Sequence, residues 1–291
     1  NTAFGSQAGA AITSGSSNTI IGAYAGQTLT TGGANVFVGY DAGKDQTTAG
    51  ASTFVGDHAG ANVTTGASNT FVGYYSGLNV TTADANTFIG YDAGGDVTTG
   101  ASNTAVGYGA LNTSTTGTQN VAVGRGSLGA LTTAGYNTAV GYDAGRQVTT
   151  GANNAFFGFQ AGDANNTGQN NNAFGYAALG VNTTGQSLCA FGAYALDANT
   201  TANDNSAFGH HALSANTTGS PNNAFGSSSL DACTTGGNNN AFGNNSLGVL
   251  TTGSYNCAFG ISTLAAATTQ AASNAFGHQA LDVATTGQHN N

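Results

Sequence analysis

A glycine returns every 17 residues, at 5, 22, 39 and 56 and onward to 277, without one slip. It closes a five-residue string that begins as Asn1-Thr2-Ala3-Phe4-Gly5 and recurs as Asn18-Thr19-Ile20-Ile21-Gly22, Asn86-Thr87-Phe88-Ile89-Gly90 and Asn239-Asn240-Ala241-Phe242-Gly243. Seventeen copies account for essentially all 291 residues. A strict period of this length specifies a stacked architecture, because each copy can bury its apolar positions only against its neighbours.

Numbering each copy from its glycine as position 0 exposes the columns. Position −4 is Asn in 14 of 17 copies, the exceptions being Ser52, Leu188 and Ser273. Position −1 is always bulky and apolar, −2 is always apolar, +3 is always small and +4 is either Gly or Leu. Positions +8 and +9 are Thr-Thr in 15 copies, interrupted only at Ser14 and Asn166. Asn, Thr and Gly are poor helix formers, and glycines near both 0 and +10 do not suit helical packing. Two or three short strands per copy, joined by Gly and Asn turns, suit the pattern. The expected fold is all-β: a parallel β-solenoid or β-roll with one repeat per coil, forming a single domain over 1–291. At about 4.8 Å per hydrogen-bonded coil, seventeen coils give a rod about 80 Å long.

One internal covariation predicts a contact. Phe at −2 (Phe37, Phe54, Phe71, Phe88, Phe156) always accompanies Gly at +4, whereas Leu at +4 always accompanies Ala at −2. Cores conserve volume and resist overpacking, so −2 and +4 are expected to share one packed space. A second pattern concerns assembly. Neighbouring strand residues point to opposite faces, yet −2 and −1 are both apolar throughout. One of the two faces therefore asks for cover from another chain or layer, which favours a homo-oligomer of symmetry-related rods packed along their length. The expected structural core is Phe4, Ile21, Val38, Phe71, Phe88, Val106, Phe174, Leu179, Phe208, Leu213, Phe242 and Phe276. The repeat-turn glycines include Gly5, Gly22, Gly39, Gly107, Gly175, Gly243 and Gly277. The Asn column is expected to form an amide ladder between coils, and stacked Thr to bond laterally.

Composition narrows function. Net charge is −9, and Lys44, Arg125 and Arg146 are the only Lys or Arg residues, too few for the basic stripe a nucleic-acid binder needs. The same balance disfavours anionic membrane surfaces, and no apolar run is long enough to span a bilayer. The chain opens on Asn with no signal peptide and reads as a fragment or processed segment of a longer fibre. Cys189, Cys233 and Cys257 are too widely spaced for a disulfide framework or zinc knuckle and read as small hydrophobes. Asp41, Asp92 and Asp143 recur three coils apart, about 14 Å, too far to share a metal. His58, His210, His211 and His278 occupy variable turn positions without metal-ligand spacing. No nucleophile–His–acid arrangement and no phosphate loop is present. The expectation is a chain with no catalytic, metal or cofactor site. Tyr recurs at +1 (Tyr40, Tyr74, Tyr91, Tyr108, Tyr142, Tyr176), a candidate binding surface for a cell-surface glycan or protein receptor.

The string from Asn171 to Leu179 with Thr183-Thr184-Gly185, and its counterpart from Asn103 to Gly117, resembles repeats of phage tail-fibre-type proteins and their bacterial relatives. The apolar-apolar-Gly core is also similar to the head repeats of trimeric autotransporter adhesins. The resemblance implies a homotrimer of parallel β-rolls acting as an extracellular or virion-borne shaft or head that spaces or presents receptor binding. It carries over no residue-level binding site. Two alternatives stand beside it: an ice-binding β-solenoid displaying Thr columns, and a self-assembling surface filament.

Overall fold

A computed structural model describes residues 1–285 as a parallel β-solenoid with no helix among the described residues. The chain falls into two compact units, Asn1–Asp143 and a second starting at Ala144. In unit 1 nine short strands, β1 (Thr2–Phe4) through β9 (Thr138–Val140), pair in sequence order. In unit 2 eight strands, β10 (Ala155–Phe157) through β17 (Asn274–Phe276), do the same. Every pairing is parallel and shifted by one repeat, so Thr2 faces Thr19 and Phe157 faces Phe174. Identical repeat positions therefore stack into columns within each unit.

The two or three strands expected per copy reduce to one. Each coil has a single strand of three residues, or four at Asn222–Phe225 and Asn239–Phe242. The rest of the coil is turn. In the second coil the N–H groups of Ala25, Gln27 and Leu29 donate to the carbonyls of Gly22, Tyr24 and Gly26, giving overlapping four-residue turns. These turns also bond to neighbouring coils, as Tyr24 N–H does to Ser6 and Gly26 N–H to Ala42. The glycines at 0 end each strand at φ between 122° and 144°. A Cβ on Gly39 would lie 2.2 Å from the Gly56 carbonyl oxygen, so stacking at this pitch requires glycine there.

The strand directs −2 into the coil and −3 and −1 outward. Ile20, Phe37, Phe54, Phe71 and Phe88 are fully buried, as are Leu179 and Leu213 at +4. The expected core is corrected accordingly. Phe4, Ile21, Val38, Val106, Phe174, Phe208, Phe242 and Phe276 lie on the outer face, half-buried or exposed, with Phe4 at 77% and Phe276 at 68%. Strand alternation allows only one of −2 and −1 inside, and the side chains at +4 and +7 fill the remaining interior.

The predicted −2/+4 contact exists. The Phe ring of one coil lies over the +4 glycine of the same coil, so that a Cβ on Gly94 would sit 2.4 Å from Phe88 Cε2 and one on Gly162 2.5 Å from Phe156 Cε1. Phe37, Phe54, Phe71 and Phe88 stack within unit 1 with ring centroids 4.9–5.1 Å apart. Where +4 is Leu, −2 is Ala and the Leu side chain occupies that interior, as Leu179 and Leu213 do.

Two polar ladders complete the stack. In the −4 column, Asn18 Oδ1 accepts from the Asn35 N–H at 3.0 Å while its Nδ2 donates to the Gly32 carbonyl at 3.0 Å. The pattern repeats at Asn86 and Asn103 and at Asn222 and Asn239. The Thr side chains at +8 donate to the next +8 carbonyl, as in Thr30 to Thr47 at 3.0 Å. The +7 column holds buried Leu29, Val63, Val80, Val97 and Leu131 in unit 1 but four buried asparagines in unit 2. There Asn199 Nδ2 donates to Asn182 Oδ1 at 2.9 Å and Asn216 Nδ2 to Asn199 Oδ1 at 3.1 Å.

Candidate functional surface

Because the interior is filled by side chains, recognition falls to the outer columns. The strand face presents −3 and −1. In unit 2 its −1 column is an unbroken row of eight phenylalanines from Phe157 to Phe276, with centroids 4.5–5.2 Å apart and near-parallel planes. In unit 1 the same column, after Phe4, is Val or Ile. None of the twelve aspartates or three basic residues lies between −4 and 0 in any copy, so this face carries no formal charge in an acidic chain.

Beyond the glycine, +1 forms the tyrosine column. Tyr40, Tyr74, Tyr91, Tyr108, Tyr142 and Tyr176 are all exposed. The structure brings Tyr74, Tyr91 and Tyr108 into one stack with centroids 5.3 and 5.0 Å apart. Arg125, one of the three basic residues too few for a nucleic-acid stripe, extends it: its Cζ lies 5.8 Å from the Tyr108 ring and 5.2 Å from the Tyr142 ring, and Nη1 donates to the Tyr142 hydroxyl. Tyr176 stacks on Phe159 at 5.0 Å in unit 2, and Tyr40 lies edge-on to Tyr24 at 5.8 Å. The stacked rings spend their faces on one another and show edges and hydroxyls to solvent. The Tyr74 phenol is pushed up to about 12, first by its hydrogen bond with Tyr75.

The turn residues at +2 hold left-handed backbone, with Asp41, His58, Tyr75 and Asp92 at φ 53–57°. Asp41 is buried, with Oδ2 3.5 Å from Lys44 Nζ and 3.5 Å from His58 Nε2. His58 also meets the Asp57 carboxylate and packs against Tyr40 and Tyr75. The Asp92 carboxyl is held above the ordinary carboxylate range by burial, opposed by the Asn112 amide at 2.9 Å. His210 and His211 meet edge to face at 4.2 Å, while His278 stands exposed on its turn. No cluster of three or more His, Cys, Asp or Glu side chains suited to a metal occurs among the described residues. Among them no helix is long and apolar enough to cross a membrane.

The Thr column at +9 is exposed, running through Thr31, Thr65, Thr99 and Thr116 in unit 1 and Thr184, Thr218 and Thr252 in unit 2. The column at −5 varies: Gln119, Tyr136, Asp204 and Tyr255 are among its members. Cys189 and Cys257 sit half-buried at −3, beside Phe191 and Phe259, whereas Cys233 is fully inside at +7. Comparison with protein-family models, with curated proteins and with solved structures gives no match.

Proposed function

We propose that this chain is a non-enzymatic segment of an extracellular fibre, of adhesin or phage tail-fibre type. It serves as a homotrimeric shaft or head that spaces or presents receptor binding. The observation that carries the reading is the outward apolar column at −1, above all the stacked phenylalanines of unit 2. Monomeric proteins rarely expose apolar patches beyond a few hundred square ångströms. Fully burying one such side chain is worth about 1.5–3 kcal/mol. Cover of eight rings is therefore of the same order as an association cost of about 4–15 kcal/mol. Coils bonded to one another through strand, turn, Asn and Thr make each unit stiff, which is what a spacer needs. The resemblance of the repeats to tail-fibre and adhesin-head sequences supports the same reading and the extracellular setting.

The tyrosine column is assigned a subordinate role, as an edge-and-hydroxyl surface for a glycan or protein receptor. Light scattering tests the main reading: a mass near three times 28.3 kDa is expected, and a stable monomer overturns it. The ice-binding alternative is favoured only by the exposed Thr at +9. The neighbouring +8 hydroxyls, half-buried or exposed, are spent on carbonyls of the next coil, as Thr183 Oγ1 is on Thr200, which leaves the +9 row alone to meet a lattice, and thermal hysteresis is expected to be absent.

A further inference from the structure

The −3 column of unit 2 says how the copies meet. It shares the outer strand face with the phenylalanines and reads, coil by coil, Ala155, Asn172, Cys189, Ser206, Asn223, Asn240, Cys257 and Asn274. Its members up to Cys257 are half-buried and Asn274 is exposed. Asparagine is self-complementary, carrying two N–H donors and a two-lone-pair acceptor on one amide. The axial bond from Asn223 Nδ2 to Asn240 Oδ1, 2.9 Å, uses part of that capacity and leaves the rest for a lateral partner.

Three arrangements of two such faces can be compared level by level. With copies parallel and level, all four asparagines meet their own counterparts, Ser206 meets Ser206 and each cysteine meets itself. Slipping one copy by a single coil leaves one Asn–Asn level, Asn223 with Asn240. Reversing one copy about the middle of the unit leaves none: Asn172 then faces Cys257, Asn240 faces Cys189, Asn223 faces Ser206 and Asn274 faces Ala155. The phenylalanine column is uniform and does not choose among these arrangements. The face also carries no formal charge, while each copy carries −9 in all, so like-charged copies approach here with least repulsion.

We infer that the −3/−1 face of unit 2 is the contact between copies of this chain, which lie parallel and level so that Cys189 meets Cys189 and Cys257 meets Cys257. This rests on the oligomer reading above and deepens it, since a closed three-fold axis along the stack also makes all copies parallel and level. A partner of different sequence would have to reproduce both the coil pitch and the order of the −3 side chains; a second copy has both.

The cysteines provide the test. Cys233 is an internal control, because it is fully buried and burial pushes its thiol up to about 11, away from the reactive thiolate. The 291-residue chain is treated with a short bis-maleimide as Cys257→Ser, as Cys189→Ser and as the double variant, and its mass is measured in parallel. Serine stands in this column at Ser206, so the substitutions suit the site. Most chains should become covalent dimers in each single variant, and few or none in the double variant. A mixture of the two single variants should also give hybrid trimers that form no Cys189–Cys257 link. An oligomer that yields no cross-link in either single variant overturns the parallel, level contact while leaving the oligomer reading standing. Cross-links in a species of dimer mass uphold the contact and overturn the trimer. A monomer overturns both.

Discussion

The coils from Phe37 to Phe88 and those from Phe174 to Phe276 place their aromatic rings on opposite sides of the same strand. In the first group the rings stand at −2, inside, with Val or Ile outside at −1. In the second the interior residue is Ala, partnered by Leu at +4, and the rings stand outside. Both arrangements stack phenylalanines at about the coil spacing, 4.5–5.2 Å. They differ in what completes them. An interior ring requires glycine at +4 of its own coil, and an exterior ring stands half-buried or exposed on the face where we propose that copies meet. On that proposal the two regions separate what stabilises a coil from what joins copies.

The sharpest way to break the comparison is to convert one region into the other. Phe88→Ala should destabilise by about 3–5 kcal/mol, as deletion of a fully buried ring does. Gly94→Leu alone should cost at least about 1–3 kcal/mol, because Phe88 already fills that space. The double substitution recreates the Ala–Leu pair of the later coils and should recover most of both losses. Urea midpoints of the four proteins form a double-mutant cycle, and simple additivity would show that the covariation is not a packing contact.

The interior polar column gives the next largest effect. In unit 2 the carbonyl at +10 takes Asn Nδ2 from −4 of the same coil, as Gly185 does from Asn171 and Gly219 from Asn205. The +7 amides of Asn182 and Asn216 donate to the same two carbonyls at 3.1 Å, but at Ala202 the −4 residue is Leu188, so that carbonyl takes the Asn199 amide, at 3.2 Å, without the −4 donor. Asn199→Val should therefore cost more than Asn182→Val, by about 1–3 kcal/mol for one orphaned buried group. Equal losses would mean that Ala202 gains no special benefit from Asn199.

Exterior rings should behave differently from both. Phe208→Ser removes a half-buried side chain, and its larger effect should be on assembly. The mass should fall or become concentration-dependent while the far-ultraviolet circular dichroism is kept. Val72→Ser, at the same position in the first region, is expected to weaken assembly less. A fall in helix-free β signal without a change in mass would place Phe208 in the coil's own stability instead.

Much of this organisation is legible in the repeat. The glycine phase gives the coil, and the exclusion between Phe at −2 and Leu at +4 gives a real contact. The Asn and Thr columns give ladders. The inward face was not legible, because −2 and −1 are both apolar and alternation alone does not say which is inside. The number of strands was overcounted because turn residues here bond coil to coil as strands do. The left-handed positions were missed as well, although a signal exists. The columns at +2, +4 and −5 contain no Val, Ile or Thr in a chain rich in threonine. Left-handed backbone disfavours β-branched residues most, and Leu111, Leu179 and Leu213 hold φ of 52–54° at +4. The run Asn165, Asn182, Asn199, Asn216 at +7 was visible too, but only known burial marks it as an internal ladder.

The smallest expected effect lies on the later turns. Asp197 sits half-buried in unit 2, and burial raises its carboxyl above the ordinary range, while His211 partly opposes the shift. A raised carboxyl means that the folded chain holds this proton more tightly than the unfolded chain. Its contribution to stability is then complete below the unfolded value and is lost as pH rises through the folded one. At neutral pH the charged form is the less well accommodated, so Asp197→Asn should raise the thermal midpoint slightly. Below the ordinary carboxylate range the two proteins should converge, because the native side chain is then neutral in both states. Serine at the equivalent turn position, Ser214, offers no such titration and provides the reference coil. A variant less stable than the native chain at neutral pH would mean that attraction to His211 outweighs the cost of burial.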